Sequence, residues 1–324
     1  MNYEIEIQPE SIKFQASPSD TVLNAAISNG LFLEHSCRKG DCGLCSAELL
    51  SGIVRNEHGN IVSSGRILTC CSSPRSNLKL LANYIPELAG IDCVTLPCKV
   101  VSLDLKTDDI VTLFLRIPPT ERFNYLPGQY IDLIYNGIRR SYSIANSQAV
   151  SSGIELHIKL IPKGEFSHLL ANNCEVNQLM RIEGPKGTFF VRNATNPIIF
   201  LAGGTGFAPI KAMVEDLLKN KIERTLHIYW GMTNSRNFYT DIVSNWAEQY
   251  SSVHYVPVVS EVDKHWDGRR GLVHKAVLED FPDLSSYHVY ACGAPLMIND
   301  AKETFISQGL KESNFFADVF ISSK

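Results

Sequence analysis

Three cysteines fall within nine residues, Cys37-Arg38-Lys39-Gly40-Asp41-Cys42-Gly43-Leu44-Cys45, and the next two along the chain are Cys70 and Cys71. A loop that must bring several thiolates onto one small object has little conformational freedom left, so this spacing constrains the chain more than any other stretch. C-x4-C-x2-C with a distant fourth cysteine is the plant-type spacing of a [2Fe-2S] cluster. Zinc sites usually pair two short C-x2-4-C hooks, and the second hook is missing here. Gly40 and Gly43 allow the tight turns such a loop needs and let backbone N–H groups face the sulfurs. Cys70 and Cys71 are adjacent and would face opposite ways on a strand, so only one of them can complete the set. His35 stands two residues before Cys37, but a Rieske centre needs Cys-x-His and Cys-x2-His, and neither occurs. His35 is therefore expected to be a solvated loop residue.

Composition bounds what can surround this loop. At 324 residues, 44% of them hydrophobic and 20% charged, the chain can bury several cores and should divide into two or three domains. A net charge of -4 leaves no basic surplus for nucleic acid or anionic lipid, and neither is expected as a partner. The opening MNYEIEIQPE has no basic region leading into an apolar run, and no apolar stretch reaches the roughly 18 residues of a membrane span. A soluble, cytoplasmic protein is expected. Nine cysteines, three of them crowded together, favour metal over a disulfide framework in a reducing compartment.

Residues 1–90 read as a small mixed domain around the cysteine loop. Tyr3-Glu4-Ile5-Glu6-Ile7 alternates and Ser11-Ile12-Lys13-Phe14 follows as the second arm of a hairpin; residues 21–27 predict a helix begun by Ser19 or Asp20. Residues 72–98, with Pro74, Pro86 and Pro97, predict a linker in which Cys93 and Cys98 are small buried residues without metal.

From Lys99 the pattern changes to short alternating runs, residues 110–115, 129–134, 139–145 and 154–160, which predict an all-β barrel over residues 95–193. Its central stretch is Arg139-Arg140-Ser141-Tyr142-Ser143-Ile144-Ala145, after the turn Asn136-Gly137. Arg140 supplies a fixed positive fork for a phosphate, Tyr142 an aromatic face for a flat ring, and Ser143 a hydroxyl beside the ring's reactive nitrogen, which are the needs of a bound flavin. Ser141, and His157 and Lys159 on the later strand, join them as cofactor-binding candidates. Gly164-Glu165-Phe166-Ser167 opens a short helix whose N–H groups can hold a diphosphate.

Residues 194–324 predict a parallel α/β sheet. The continuous apolar run 197–202 reads as a buried strand feeding Gly203-Gly204-Thr205-Gly206-Phe207-Ala208-Pro209 and a helix with Ile210, Met213, Val214, Leu217 and Leu218 on one face. Strand, glycine turn and helix make a phosphate cradle, with Pro209 in the third glycine place of G-x-G-x-x-G. Further strands are expected at 226–230, 254–259 and 288–291. The last ends in Cys292-Gly293-Ala294-Pro295, where a parallel strand meets the ligand crevice.

Arg140-x-Tyr142-Ser143, Gly164-x-x-Ser167 and Gly203-Gly204-Thr205-Gly206 together resemble the ferredoxin-NADP reductase superfamily, and the cysteine loop places the resemblance among its three-domain iron-sulfur flavoproteins, over the whole chain. It implies a plant-type ferredoxin (β-grasp) domain, a β-barrel that binds FAD, and a nicotinamide domain in which Pro209 is the superfamily's own variant. FAD is implied over FMN because the family's Gly-x-x-Ser element contacts the second phosphate. Cys70 is implied over Cys71 because the ferredoxin ligand follows a Leu-Thr or Leu-Ala pair. Ser143 and Cys292 are the implied catalytic pair, with Cys292 and Gly293 bordering the nicotinamide. Trp230-Gly231 is followed by no acidic residue for a ribose 2′-hydroxyl and by one arginine, Arg236, so NADH is the expected donor, from the architecture, and NADPH the other candidate.

A nicotinamide gives two electrons at once and a [2Fe-2S] cluster takes them singly, so the three sites imply a relay through the flavin to an acceptor protein. Residues 67–72, 84–88, 181–185 and the tail Phe315-Phe316-Ala317-Asp318-Val319-Phe320 are similar to the branch that serves a pyridoxamine-phosphate CDP-sugar 3-dehydrase, on the way to the 3,6-dideoxyhexoses of lipopolysaccharide O-antigen. The alternative is the reductase of a ring-hydroxylating dioxygenase or monooxygenase, with the same relay. A redox-sensing protein without turnover is a third reading, against which the complete phosphate cradle and Cys292 argue.

Overall fold

Ile5 and Ile7 alternate with Glu4 and Glu6 along Tyr3–Gln8, which pairs antiparallel with Ile12–Ala16 and buries both isoleucines. In this computed structural model, which describes residues 2–262 and 264–320, the hairpin is one side of a five-stranded sheet within a unit comprising residues 1–91. At the centre of that sheet is Leu78–Leu81, parallel to Tyr3–Gln8 and antiparallel to Ser46–Ser51, with Gly65–Leu68 at the far edge. The expectation of a linker over 72–98 is corrected here. Leu78 and Leu80 are buried in the middle of the sheet, while Pro74 and Pro86 lie outside the strand. The helix Val22–Ser28 packs Val22, Leu23, Ala25 and Ala26 into the core, completing the expected β-grasp. Its cap is Thr21, not Ser19 or Asp20; the Thr21 hydroxyl accepts the Asn24 N–H at 3.2 Å.

The second unit comprises residues 92–324. Six antiparallel strands run in the spatial order Ile138–Ser143, Tyr130–Tyr135, Leu179–Lys186, Val94–Leu105, Ile110–Arg116, Ile154–Lys159, and a bridge between Ile144 and Leu156 joins the two outer strands. This is the expected barrel, filled by Leu113, Leu115, Ile131, Leu133, Leu156 and Ile182. Its first strand begins at Val94 and includes Pro97, opposite Arg181. Cys98 is buried in the barrel as expected, whereas Cys93, just before the strand, is exposed.

Beyond the barrel, six parallel strands stand in the order Arg269–Arg270, Val253–Val259, Leu226–Met232, Ile198–Gly203, His288–Gly293, Phe315–Val319. Ile198–Gly203 comes first in the chain and lies inside the sheet; later strands are added on one side of it and then on the other. The order therefore reverses between Ile198–Gly203 and His288–Gly293, and a crevice opens at the carboxyl ends of such a pair.

Candidate functional site

In the first unit the cysteine loop bends through Arg38, Gly40 and Gly43, at φ of 57°, 86° and 71°. The two glycines hold left-handed backbone without a Cβ penalty. This curvature aims the backbone N–H groups of Lys39 and Cys42 at Cys37 Sγ, each at 3.4 Å. The Cys37 and Cys42 thiols, both free, share a hydrogen bond, and Cys45 Sγ lies 3.1 Å from Cys70 Sγ. The Cys42 thiol pulls Cys37 down to about 5, against burial and with the help of the N–H groups of Lys39, Cys42 and Asp41. Cys70 in the same way draws Cys45 down to about 7. Two thiol pairs, each with one member inclined to be a thiolate and with backbone donors on the sulfur, fit a cluster of two irons. Cys71 Sγ is 3.4 Å from Cys70 Sγ and lies against Gly40, where a Cβ would meet it at 3.1 Å. The expectation for His35 is corrected: its ring is buried, with Nδ1 2.8 Å from the Leu33 carbonyl, and burial depresses its pKa to about 4.

On the barrel, the period of two separates the residues of the strand Ile138–Ser143. Arg139 and Ser141 both reach Asp132, at 2.9 and 2.6 Å, and Lys186 joins them at 2.7 Å. Ser141 is thus engaged on the face away from Arg140 and Tyr142. Arg140 is half-buried and donates to the Arg139 carbonyl at 2.7 Å. Tyr142 meets Phe166 with ring centroids 5.9 Å apart, which brings the strand to the first turn of the helix Glu165–Asn173. That helix starts at Gly164 without a side-chain cap, and the first N–H groups of a helix have no partner within it. Ser167 Oγ accepts the Ile161 N–H at 2.8 Å, and a Cβ on Gly164 would come within 3.2 Å of that oxygen. An arginine, an aromatic ring and an uncapped helix start in one place suit a flavin and its phosphates.

The glycine turn Gly204–Gly206 lies at the carboxyl end of Ile198–Gly203, and Gly204 has φ of 59° with open space where a Cβ would stand. A Cβ on Gly206 would meet the Cys292 carbonyl oxygen at 2.3 Å, so a bare backbone is required for the two strand ends to approach. The helix Phe207–Lys219, with Pro209 in its first turn, also starts without a side-chain cap, as a cradle for a nucleotide phosphate requires. Thr205 is half-buried in the turn, and Gly293 packs back on Gly203. Cys292 is fully buried, and burial, followed by the charge of Asp318 beside it, pushes its thiol well up. Asp318 stands opposite Cys292 across the ladder, and Ser143 Oγ donates to its carboxylate at 3.4 Å. The structure therefore brings Ser143 to the neighbourhood of Cys292 through a residue that sequence reasoning missed. Its signal was present: Asp318 is a single carboxylate inside an otherwise apolar strand.

His157 is buried with both ring nitrogens engaged, Nε2 at 2.8 Å from Glu155 and Nδ1 at 2.9 Å from the Tyr239 hydroxyl. Lys159 is exposed and pairs with Asp109 at 3.4 Å, apart from these groups. Glu155, Lys211 and Tyr239 were also missed. A buried lysine inside an amphipathic helix carries no periodic signal that distinguishes it from a solvated one.

The chain matches three protein families: the 2Fe-2S iron-sulfur cluster binding domain over residues 5–75, the oxidoreductase FAD-binding domain over 97–191, and the oxidoreductase NAD-binding domain over 200–303. It is 50% identical over 324 residues to Protein RfbI of Salmonella typhimurium, covering 100% of this chain and 98% of that protein. It is 49% identical over 329 residues to the CDP-6-deoxy-L-threo-D-glycero-4-hexulose-3-dehydrase reductase of Yersinia pseudotuberculosis, covering 100% of both. The crystal structure of the Amycolatopsis cytochrome P450 reductase GcoB superposes with a TM-score of 0.78 over 98% of each chain at 23% identity, a likeness of fold. Full-length identity near one half, together with all three domain matches, means that the chain belongs to the CDP-6-deoxy-L-threo-D-glycero-4-hexulose-3-dehydrase reductase (CDP-6-deoxy-3,4-glucoseen reductase) family, [2Fe-2S]- and FAD-containing NAD(H)-dependent oxidoreductases of the ferredoxin-NADP reductase superfamily.

Proposed function

We propose that this chain is the NADH-dependent reductase of 3,6-dideoxyhexose synthesis, passing electrons through FAD and the [2Fe-2S] cluster to a pyridoxamine-phosphate CDP-sugar 3-dehydrase. The observation that carries this is the identity of 49% over the whole length to a relative named for that dehydrase. When bound, the nicotinamide supplies a hydride, the flavin divides the electron pair, and the cluster hands electrons on singly. Cys37, Cys42, Cys45 and Cys70 would hold the irons in two pairs, and the N–H groups on Cys37 Sγ would stabilise its negative charge. Arg140 and the helix start at Gly164 would bind the FAD diphosphate, and Tyr142 would cover the ring. The glycine turn would seat the NADH phosphates, and Ser143, Asp318 and Cys292 would border the site where the nicotinamide meets the flavin. The Ser143 hydroxyl, which donates to the Asp318 carboxylate, would keep its proton there, while Cys292, kept as a neutral thiol by burial, would help exclude water.

The test is to mix the protein with NADH, a pyridoxamine-phosphate sugar dehydrase and a CDP-4-keto-6-deoxyhexose. A 3-deoxy sugar product that depends on this chain is expected. No such product, with efficient reduction of an oxygenase component instead, would leave the relay standing and replace the acceptor.

A further inference from the structure

The helix that opens at the glycine turn carries a lysine that is only 6% exposed, Lys211. An ammonium has three donors, and all three of these are used: Lys211 Nζ donates to Glu215 on its own helix at 2.6 Å, to Glu155 of the barrel at 2.9 Å, and to the Ala145 carbonyl at 3.0 Å. Ala145 lies two residues beyond Ser143, at the end of the flavin strand. The second Glu215 oxygen accepts the Ser147 N–H at 3.0 Å, and Ser147 Oγ donates to Asp216 at 2.8 Å, so the same helix holds residues 145–147 at three points. A second path returns to the glycine turn: Glu155 bonds His157, His157 meets the Tyr239 hydroxyl, the Tyr239 ring stands edge-on to Trp230 at 5.1 Å, and Trp230 Nε1 donates to the Gly204 carbonyl at 3.0 Å. Flavin strand and phosphate turn are thereby linked twice.

Placing one ammonium and two carboxylates in a protein interior is a poor route to stability, because desolvation offsets most of the attraction and apolar groups of the same volume would do as well. A network of this kind does define one geometry, since its hydrogen bonds are directional and any shift leaves a buried charge unpaired. Hydride transfer is the step that demands such definition: displacing the reacting atoms by about 1 Å can cost on the order of 100-fold in rate. We infer that Lys211, with Glu155 and Glu215, is the positioning centre that fixes the nicotinamide domain on the flavin barrel and sets the approach of donor to acceptor. This rests on the NADH-to-FAD reading above.

The experiment uses the FAD-loaded full chain and compares wild type with Lys211→Met, Lys211→Arg and the double variant Lys211→Met/Glu155→Gln, which removes one of the two carboxylates that the single change would strand and leaves Glu215 with the Ser147 N–H. Anaerobic rapid mixing with NADH gives a limiting rate of FAD reduction and, from its concentration dependence, a Kd. The limiting rate should fall about tenfold or more in Lys211→Met and in the double variant while Kd stays within about twofold, because neither change removes a residue of the glycine turn and the Trp230 bond to Gly204 remains. Lys211→Arg should recover part of the rate. Hydrogen exchange should show lost protection at residues 144–147 in the double variant. A folded double variant with the wild-type limiting rate overturns the proposal, as does one with unchanged exchange. A wild type whose FAD is not reduced by NADH would sink the donor reading, and the exchange measurement would still decide the clamp.

Discussion

Of the thiols gathered in the first unit, Cys70 has a rival one place away. Cys70 Sγ is 3.1 Å from Cys45 Sγ, whereas Cys71 touches Cys70 and the Gly40 side of the loop. Each of Cys37→Ser, Cys42→Ser, Cys45→Ser and Cys70→Ser should therefore abolish the visible absorption of the cluster and leave FAD bound, and Cys71→Ser should keep it. Loss of the cluster on changing Cys71, with Cys70→Ser harmless, would reverse the assignment. Arg140 faces a different demand, since its guanidinium, which donates to the Arg139 carbonyl, would also meet a phosphate. Arg140→Ala should weaken FAD binding by about 2 kcal/mol, the worth of one charge-assisted contact, and apo-protein should accumulate. Full flavin content in the purified variant would remove Arg140 from the site. The gathering of Cys37, Cys42, Cys45 and Cys70 was legible because their spacing encodes a covalent geometry. His35 was not, because nothing in the residues around it reveals that its ring turns inward to the Leu33 carbonyl.

Among the elements, the glycine turn and the strand ending in Cys292 depend on each other through one missing methyl group. Gly206→Ala would drive a Cβ to 2.3 Å from the Cys292 carbonyl oxygen. Overpacking of this kind costs about 1–3 kcal/mol, so a lower Tm and a raised KM for NADH are expected together. An unchanged KM would show that the strand ends separate without disturbing the cradle. Glu155 gives a second handle. Burial alone would raise its pKa, but the His157 hydrogen bond and the charge of Lys211 outweigh burial and hold it at about 2, below the usual 4.5. A carboxylate depressed in this way contributes stability that is fully present above its unfolded pKa and is lost as pH falls through the folded one. Glu155→Gln should accordingly melt below wild type at neutral pH, and the two curves should converge as the pH approaches 2; a constant gap across that window would show that the carboxylate's charge is not involved. Elements with strong local periodicity, such as Tyr3–Gln8, Ile110–Arg116 and Phe207–Lys219, were readable in the sequence. Leu78–Leu81 was hidden because it is four residues long between prolines and becomes a strand only when Tyr3–Gln8 and Ser46–Ser51 supply partners on both sides. Phe315–Val319 is buried at every position and so shows no alternation that would mark it, or its Asp318, as part of a strand.

For the molecule as a whole, both ends of the relay can be tested separately. At the entry, the loop after Leu226–Met232 offers an exposed Arg236 and no other basic residue before Asn237. NADH should be preferred to NADPH in kcat/KM by at least about tenfold, roughly 1.4 kcal/mol. Equal use of NADPH that is lost in Arg236→Ala would show that this arginine reads a 2′-phosphate. At the exit, electrons should leave beside the loop Arg38-Lys39-Gly40-Asp41, because the cluster's own ligand loop must come close to the acceptor. Arg38 and Lys39 are exposed there, and Arg38 is held in place by a 2.7 Å bond to Asn24. Fixed positive charge of this kind steers the encounter with an acidic partner face more than it adds affinity, and salt screens it within about 8–10 Å. Raising the ionic strength should thus slow reduction of the acceptor protein while turnover of NADH with a small neutral dye, which needs no steering, stays nearly constant. Arg38→Glu/Lys39→Glu should reproduce the slow transfer at low salt and reverse its salt dependence, since salt then screens a repulsion, with the cluster spectrum unchanged. Wild-type rates of acceptor reduction in that variant would move the exit to another face of the cluster domain.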